Sequence, residues 1–500
     1  MWARSPTAQF WTVFIFAALI RIAWVILSGF TGLYGQDGYA YLDAAERMAQ
    51  GHPFSVQMVG MPDPWMIAAA PGYSLAISFF LRVFPDTFSV WWAQVISIAA
   101  GSTMAAWTVS IGRRWLSPEA SIGAGVVVAM APVAVQTSVV VMTDAFATAL
   151  GIGCIWSTLR TLERPNAYWA ILSGFLFGAS VCTRLPMGLV AVPLGLILAF
   201  RKPFPVKYVV IAAVAAIVGM IPEFVYLNQQ SDGPFSNHMI SLWSPVNFWR
   251  QHFVTPDGSL DYNLPLGIYY LSMISGHKFI SPVIILLAAA GAWYSRPKTT
   301  MLRVLLGWIA AFVVFCTGLT VINPRYVLPI VPAVAILSMY GFIAIRSRWN
   351  LNGLRWRRAG LLFGTAIVVT VFWGQFRALI PFVELSEVEQ ELAVVISQKA
   401  KADDEIVGFK TAFALEWYLR RPATELFFFD ETVLGSGSKR KIVVWDPHDL
   451  AKRATTPILH RKKKWFDDHC IIEPVTKVRT IAIGYADCSS FVPSTEKIYP

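Results

Sequence analysis

Gly35-Gln36-Asp37-Gly38-Tyr39-Ala40-Tyr41-Leu42 follows directly on the first long apolar run of the chain, which begins at Phe10. An acid this close to the end of a membrane helix is costly to hold unless it is used. The residues after it, Asp43 to Gly51 and then His52-Pro53-Phe54, carry the pattern of a short amphipathic helix that ends at a glycine. The chain thus reads as leaving a bilayer, presenting a carboxylate at once and lying down along the interface. That arrangement suits chemistry on a lipid head group. A plainer role for Asp37, as cap of the helix that follows it, fits the same position.

Working outward, the composition excludes an ordinary soluble protein, since 56% of the 500 residues are hydrophobic and only 14% are charged. Apolar runs recur from Phe10 to about Ile380, each near the roughly 20 residues that a helix needs to cross. The first run is longer than a signal-peptide core and no small-residue cleavage site follows it, so it reads as a retained span. The net charge of +11 does not point to nucleic acid, because of where the charge falls. Arg113-Arg114, Arg160 with Arg164, Arg201-Lys202 with Lys207, and Arg296 with Lys298 and Arg303 each follow a run; Arg346, Arg348, Arg355, Arg357 and Arg358 form the heaviest cluster. Short loops rich in Lys and Arg stay on the cytoplasmic side. The positive charge is a topology signal.

Spans near 10–30, 91–112, 119–136, 141–160, 168–183, 185–200, 206–227, 277–295, 302–322, 326–345 and 359–380 place every cluster inside, together with the N-terminus. Ala69 to Phe84 is apolar but opens with Pro71-Gly72 and carries Arg82. If it crossed, the later clusters would move outside, so it is expected to be interfacial or re-entrant. The expected fold is an all-α polytopic membrane domain over residues 1–383, with about eleven spans plus interfacial helices. Two long outer loops, near 31–90 and 228–276, have the length that usually accompanies function. From Glu384 the chain becomes charged, with β-rich runs at Glu405–Phe409, Leu426–Phe429, Ile442–Trp445 and Arg479–Tyr485 and a helical stretch at Thr411–Leu419. A small α/β domain at 384–500 on the outer face is expected. Cys154, Cys182 and Cys316 lie in apolar runs as packing residues. Cys470 and Cys488 share the tail, and either a disulfide or free thiols is compatible with that.

Arg21, Asp144, Arg184, Glu223, Lys278 and Arg325 lie within spans or at their ends, and by this topology all but Arg21 are near the outer face. Arg offers a phosphate a bidentate fork and Lys a point charge. Carboxylates suit proton abstraction or a hard divalent cation. Structural pairing or snorkelling is the alternative. No phosphate-binding glycine loop, HExxH or paired CxxC competes with a membrane-face site.

The order of short motifs resembles the GT-C membrane glycosyltransferases, in particular the group with protein mannosyltransferase-like enzymes and the lipid A aminoarabinose transferase. Asp37-Gly38-Tyr39-Ala40-Tyr41-Leu42 through Ala49-Gln50-Gly51-His52-Pro53-Phe54 resembles that family's first-loop acid and its helix, and Ala70-Pro71-Gly72-Tyr73 its Pro-x-Tyr helix opening. Met142-Thr143-Asp144-Ala145 resembles the acid at the outer end of the fourth span. Thr183-Arg184-Leu185-Pro186 resembles a Thr-Arg-Pro turn with the proline displaced by one, and Asn323-Pro324-Arg325-Tyr326 with Pro329 and Pro332 an Arg-Tyr-x-x-Pro-x-x-Pro helix start. The resemblance covers about residues 10–345, and it departs where many relatives have Asp-Glu, since Gly38 follows Asp37 here.

The resemblance implies transfer of a sugar, with inversion, from a polyprenyl-phosphate carrier to a lipid, glycan or protein acceptor at the outer face of a bacterial inner membrane. Asp37 would serve as the base, Arg184, Lys278 and Arg325 as the phosphate site. Asp144 would orient the acceptor or share a divalent cation (Mg or Mn) with Asp37. A transporter or flippase of lipid-linked sugars would gather similar charges, but it more often shows an internal repeat, and none is visible.

Overall fold

The computed structural model describes residues 5–58, 70–85, 87–229, 242–255, 258–295, 300–348, 354–426, 440–453 and 457–487. The chain divides into two compact units. One comprises Met1–Gly32, Ala68–Arg250 and Leu264–Pro381; the other Leu33–Ile67, Gln251–Asn263 and Phe382–Pro500.

In the first unit the opening apolar run is α1 (Pro6–Ser28). Ser5 caps it, its Oγ accepting from Ala8 N at 3.5 Å, and Gly29 ends it in the left-handed conformation that glycine adopts without Cβ strain. A helix of 23 residues rises about 35 Å, enough for a hydrocarbon core of about 30 Å. Among the described residues, six helices are long and apolar enough to cross a membrane: α1, α4 (Ser89–Gly112), α7 (Thr143–Glu163), Thr300–Thr317, Pro324–Arg348 and Ile367–Lys399. The pair α5 (Pro118–Met130) and α6 (Pro132–Val139) adds a seventh if it is counted as one span. The remaining apolar runs form shorter helices: α8 (Ala167–Thr183), Leu185–Ala199 with α9 (Ala191–Ala199) as its α-helical part, α10 (Val206–Gly219) and Pro282–Tyr294. Every run expected to span is thus helical, and the unit is that of a polytopic membrane protein.

Two segments differ in detail from a row of straight spans. The run at 119–136 bends by 55° between α5 and α6, because Pro132 has no N–H to give the preceding turn and its ring clashes with that turn. The carbonyls at the break are not left bare. Arg21 of α1, fully buried, donates through Nη1 to Ala17 O at 2.9 Å and Ala129 O at 3.1 Å, and through Nη2 to Ala134 O at 3.4 Å. Gln375 Nε2 donates to Met130 O at 2.6 Å. A guanidinium inside a span is therefore accounted for by a helix break.

The second segment, expected at Ala69–Phe84, is α3 (Gly72–Val83), whose 12 residues rise only about 18 Å and do not cross. Tyr73 anchors it to α4 by donating to Ala93 O at 2.9 Å, with Ser97 Oγ at 2.8 Å, while Phe79 and Val83 on the other face are exposed. Elsewhere helices approach closely through small residues. A Cβ at Gly174 or Gly178 of α8 would meet the carbonyl oxygens of Ala212 and Ala216 of α10 at 1.9 and 2.1 Å, so only glycine allows this crossing.

The second unit contains α2 (Asp37–Ala49), a hairpin of β1 (His252–Thr255) and β2 (Gly258–Asp261), and a mixed sheet. The sheet strands are β3 (Glu405–Gly408), β4 (Ala423–Glu425), β5 (Lys441–Trp445), β6 (Ile471–Val478) and β7 (Ile481–Asp487), in the order β4-β3-β5-β7-β6. β3 runs parallel to β4 and β5, the helix Ala412–Leu419 forming the crossover to β4, and β7 runs antiparallel to β5 and β6. Val407, Phe409, Leu426, Val443, Leu450, Cys470 and Ala486 make its core. The α/β character expected of the tail is present. The expected strand residues 427–429, together with Pro62, Pro64, His238, Asp257 and Cys488, lie outside the described residues.

Asp404 ties the start of β3 to the residue before β5. It accepts from Arg440 Nε at 2.9 Å and Nη2 at 2.6 Å and from Lys401 N at 2.7 Å. The Arg440 hydrogen bonds hold its carboxyl below the usual aspartate range. A depressed carboxylate adds stability above its unfolded pKa, about 3.9, and loses it as pH falls through the folded value. Asp404→Asn is therefore expected to lower the melting temperature at pH 7, with the gap to wild type closing as pH drops below about 4. Thermal melts of both proteins from pH 7 to pH 3 check this; a gap that stays constant would mean that the charge contributes nothing.

Candidate functional site

Three chain turns of the helical unit bring together charges that are far apart in sequence. Asp144 is the second residue of α7, where a carboxylate meets the positive end of the helix. Arg184 follows the last residue of α8 in an extended conformation, and Pro186 helps turn the chain after it. Because α7 and α8 are consecutive, the start of one lies near the end of the next. Arg325 sits in the 3₁₀ turn Pro324–Ile330, which Asn323 caps by accepting from Arg325 N at 3.2 Å.

The geometry is that of one carboxylate between two guanidinium groups. Arg184 Nη1 lies 2.5 Å from Asp144 Oδ1, and Arg325 Nε lies 3.8 Å from Asp144 Oδ2. Asp144 is 2% exposed, whereas the side chains of Arg184 and Arg325 are 20% and 15% exposed. The tyrosine ring of Tyr326 backs both cations, 4.8 Å from Arg184 Cζ and 5.6 Å from Arg325 Cζ. Arg184 Nη1 also reaches Thr143 Oγ1 at 3.4 Å, and Arg325 Nη1 reaches Met142 Sδ at 3.3 Å. One carboxylate and two guanidinium groups give these three side chains a net positive charge. An anion fits it, and a divalent cation on Asp144 would sit beside two guanidinium groups that repel it. Among the described residues, no group of three or more His, Cys, Asp and Glu is arranged to hold a metal.

The Pro71-Gly72-Tyr73 opening of α3 borders the same place. A Cβ at Gly72 would meet Thr183 Oγ1 at 2.5 Å and the Cys182 carbonyl at 2.9 Å, so the start of α3 lies on the end of α8 beside Arg184. Glu223 is buried next to Cys182. Lys278 is exposed in the turn before the helix Pro282–Tyr294, and among the described residues no ion pair joins it to Asp144.

Asp37 belongs to the other compact unit. It is the exposed first residue of α2, and the cap position belongs to Gln36, which makes no side-chain cap bond. The segment before it is braced by a residue that sequence reasoning passed over. Glu389, buried, accepts from Gly35 N at 2.8 Å and from the Tyr39 hydroxyl at 2.7 Å. Trp417 and Tyr418 lie within about 6 Å of the Tyr39 ring. A signal for Glu389 does exist. It falls on the buried stripe Ser386, Glu389, Ala393 and Ile396, where an acid has to be partnered.

Residues 68–226 match the family model described as dolichyl-phosphate-mannose-protein mannosyltransferase. No curated protein matches the chain in sequence. Among solved structures, the chain is similar to ArnT from Cupriavidus metallidurans bound to undecaprenyl phosphate, with 16% identity, a TM-score of 0.63, and coverage of 94% of this chain and 98% of that one. It is similar to the oligosaccharyltransferase of Archaeoglobus fulgidus in complex with Zn and sulfate, with 14% identity, a TM-score of 0.61, and coverage of 95% and 73%. AglB from Archaeoglobus fulgidus, in complex with an inhibitory peptide and a dolichol-phosphate, gives 12% identity, a TM-score of 0.54, and coverage of 97% and 75%. At such identities the likeness is one of architecture. The fold of this chain is that of the GT-C membrane glycosyltransferases that its motifs resemble.

Proposed function

We propose that this protein transfers a sugar from a polyprenyl-phosphate carrier to an acceptor hydroxyl at the outer face of a bacterial inner membrane. The observation that carries the reading is the cationic cluster of Arg184 and Arg325 around the buried Asp144. In the reaction the acceptor attacks the anomeric carbon, its proton passes to Asp37, and the carbon–oxygen bond to phosphate breaks. The leaving phosphate takes the bonding electron pair and gains one negative charge. A single displacement inverts the anomeric centre. Two guanidinium groups stabilise the charge that grows on the phosphate, which is where catalysis by fixed donors is largest. Asp144 acts on the substrate through them, as a positioning residue that keeps two like charges together. The acceptor is a glycolipid, a polysaccharide or a protein.

Variants at Arg325 test it. Arg325→Ala is expected to raise the apparent donor constant by about tenfold or more and to slow turnover, because the lost interaction is stronger in the transition state. Arg325→Lys keeps the charge without the fork and should be partly active. Lys278→Ala, which removes an exposed cation outside the cluster, should change the donor constant less. Donor dependence and melting temperature measured on one preparation decide the matter. A lower melting temperature with an unchanged donor constant would make Arg325 a structural residue.

A further inference from the structure

We propose that a cavity at the basic ends of α7, α8, α9 and α10 seats one acyl chain of an anionic phospholipid, whose phosphate is held by Arg201, Lys202 and Lys207. The cavity has a volume of about 490 Å³ and is walled almost wholly by apolar groups, among them Cys154, Phe177, Leu194, Leu198, Tyr208 and Ala213. It lies along the C-terminal half of α7 and the N-terminal half of α8. Asp144 and Arg184 occupy the opposite ends of those two helices, so this is a different place from the Asp144 cluster. In a bilayer an apolar cavity between helices fills with hydrocarbon, and its rim decides which head group goes with it.

The rim is cationic. Leu162 both lines the cavity and accepts a hydrogen bond through its carbonyl from Arg201 Nη2 at 3.3 Å, which places a guanidinium beside the cavity wall. Lys202 follows it, Pro205 and Tyr208 line the wall, and Lys207 is exposed between those two. Nearby charges are already committed. Glu163 pairs with Arg114 at 2.6 Å and Arg160 at 3.3 Å, and Arg303 lies over the Phe200 ring at 5.1 Å. Among the described residues no ion pair engages Arg201, Lys202 or Lys207. Tyr208, which lines the cavity next in sequence to Lys207, is of the aromatic type enriched at membrane interfaces. Charge complementarity therefore selects an anionic lipid over a zwitterionic one.

Native mass spectrometry of the full-length protein in mild detergent, with added dioleoyl phosphatidylglycerol, dioleoyl phosphatidylcholine or polyprenyl phosphate, tests the assignment. Wild type is expected to retain one phosphatidylglycerol per chain and to prefer it to phosphatidylcholine. The variant combining Arg201→Gln, Lys202→Gln and Lys207→Gln, all at exposed positions, should lose roughly tenfold in retention, with the preference. Gly195→Phe should abolish retention, because Gly195 lines the cavity and a Cβ there meets nothing within 4 Å. Should that variant fold poorly, phosphatidylglycerol with a photoreactive acyl chain should label peptides 154–162 and 191–198 of the unaltered protein. Equal retention by the glutamine variant, labelling elsewhere, or displacement of phosphatidylglycerol by equimolar polyprenyl phosphate would overturn the proposal.

Discussion

Asp37→Asn is expected to lower turnover by roughly 10² or more while changing donor affinity little. Asparagine keeps the size of the side chain and removes its basicity, so the loss isolates proton transfer from binding. A melting curve of the variant establishes that it is folded; Asp37 is exposed, and Gln36 stands at the cap position of α2. Steady-state kinetics over a range of donor concentrations separate the two effects. Near-wild-type turnover in a well-folded variant would remove Asp37 from the mechanism. Gly38 follows Asp37, so no carboxylate adjacent in sequence is there to substitute, which makes this a demanding test.

Asp144→Asn should act through both stability and rate. It removes the buried carboxylate that lies 2.5 Å from Arg184 and 3.8 Å from Arg325. Breaking a buried ion pair from one side costs about 3–5 kcal/mol. Turnover should fall by about 10² as the pair loses its geometry. Polyprenyl phosphate should stabilise the variant against heat at least as much as it does wild type, because the ligand then supplies the missing negative charge. If Asp144 were instead a metal ligand, high concentrations of Mg or Mn would recover part of the activity. Thermal shifts with polyprenyl phosphate and kinetics across a divalent-cation series distinguish these outcomes.

Most of the helical unit was legible in the apolar runs, because membrane helices must satisfy their own backbone and so declare themselves by length and composition. The break at Ala131-Pro132 was read through as part of one span at 119–136, although proline ends a helix, and nothing local says that Arg21 bonds to carbonyls on both sides of it. Asp144, Arg184 and Arg325 could be picked out as charges that have to be explained in a membrane. Their joining around one carboxylate depends on how α7, α8 and the 324–330 turn pack, which no single stretch encodes. Tyr326 was quoted only as part of a motif, and its ring under two guanidinium groups is a tertiary fact. Lys278 was grouped with the other cations by its place at the end of a run, and the structure puts it exposed in a turn, with no ion pair to Asp144 among the described residues. Glu389 was missed because the tail was read from its charged composition, which hid an apolar stripe with one acid in it.

The central claim, transfer from a polyprenyl-phosphate carrier, is tested most directly with purified protein in liposomes that contain a polyprenyl phosphate bearing a labelled sugar. With a membrane extract as the source of acceptor, label is expected to pass to the acceptor as unsubstituted polyprenyl phosphate appears in equal amount, with the anomeric configuration inverted. Labelled lipid that crosses the bilayer intact, with no polyprenyl phosphate released, would contradict the account and identify a transporter.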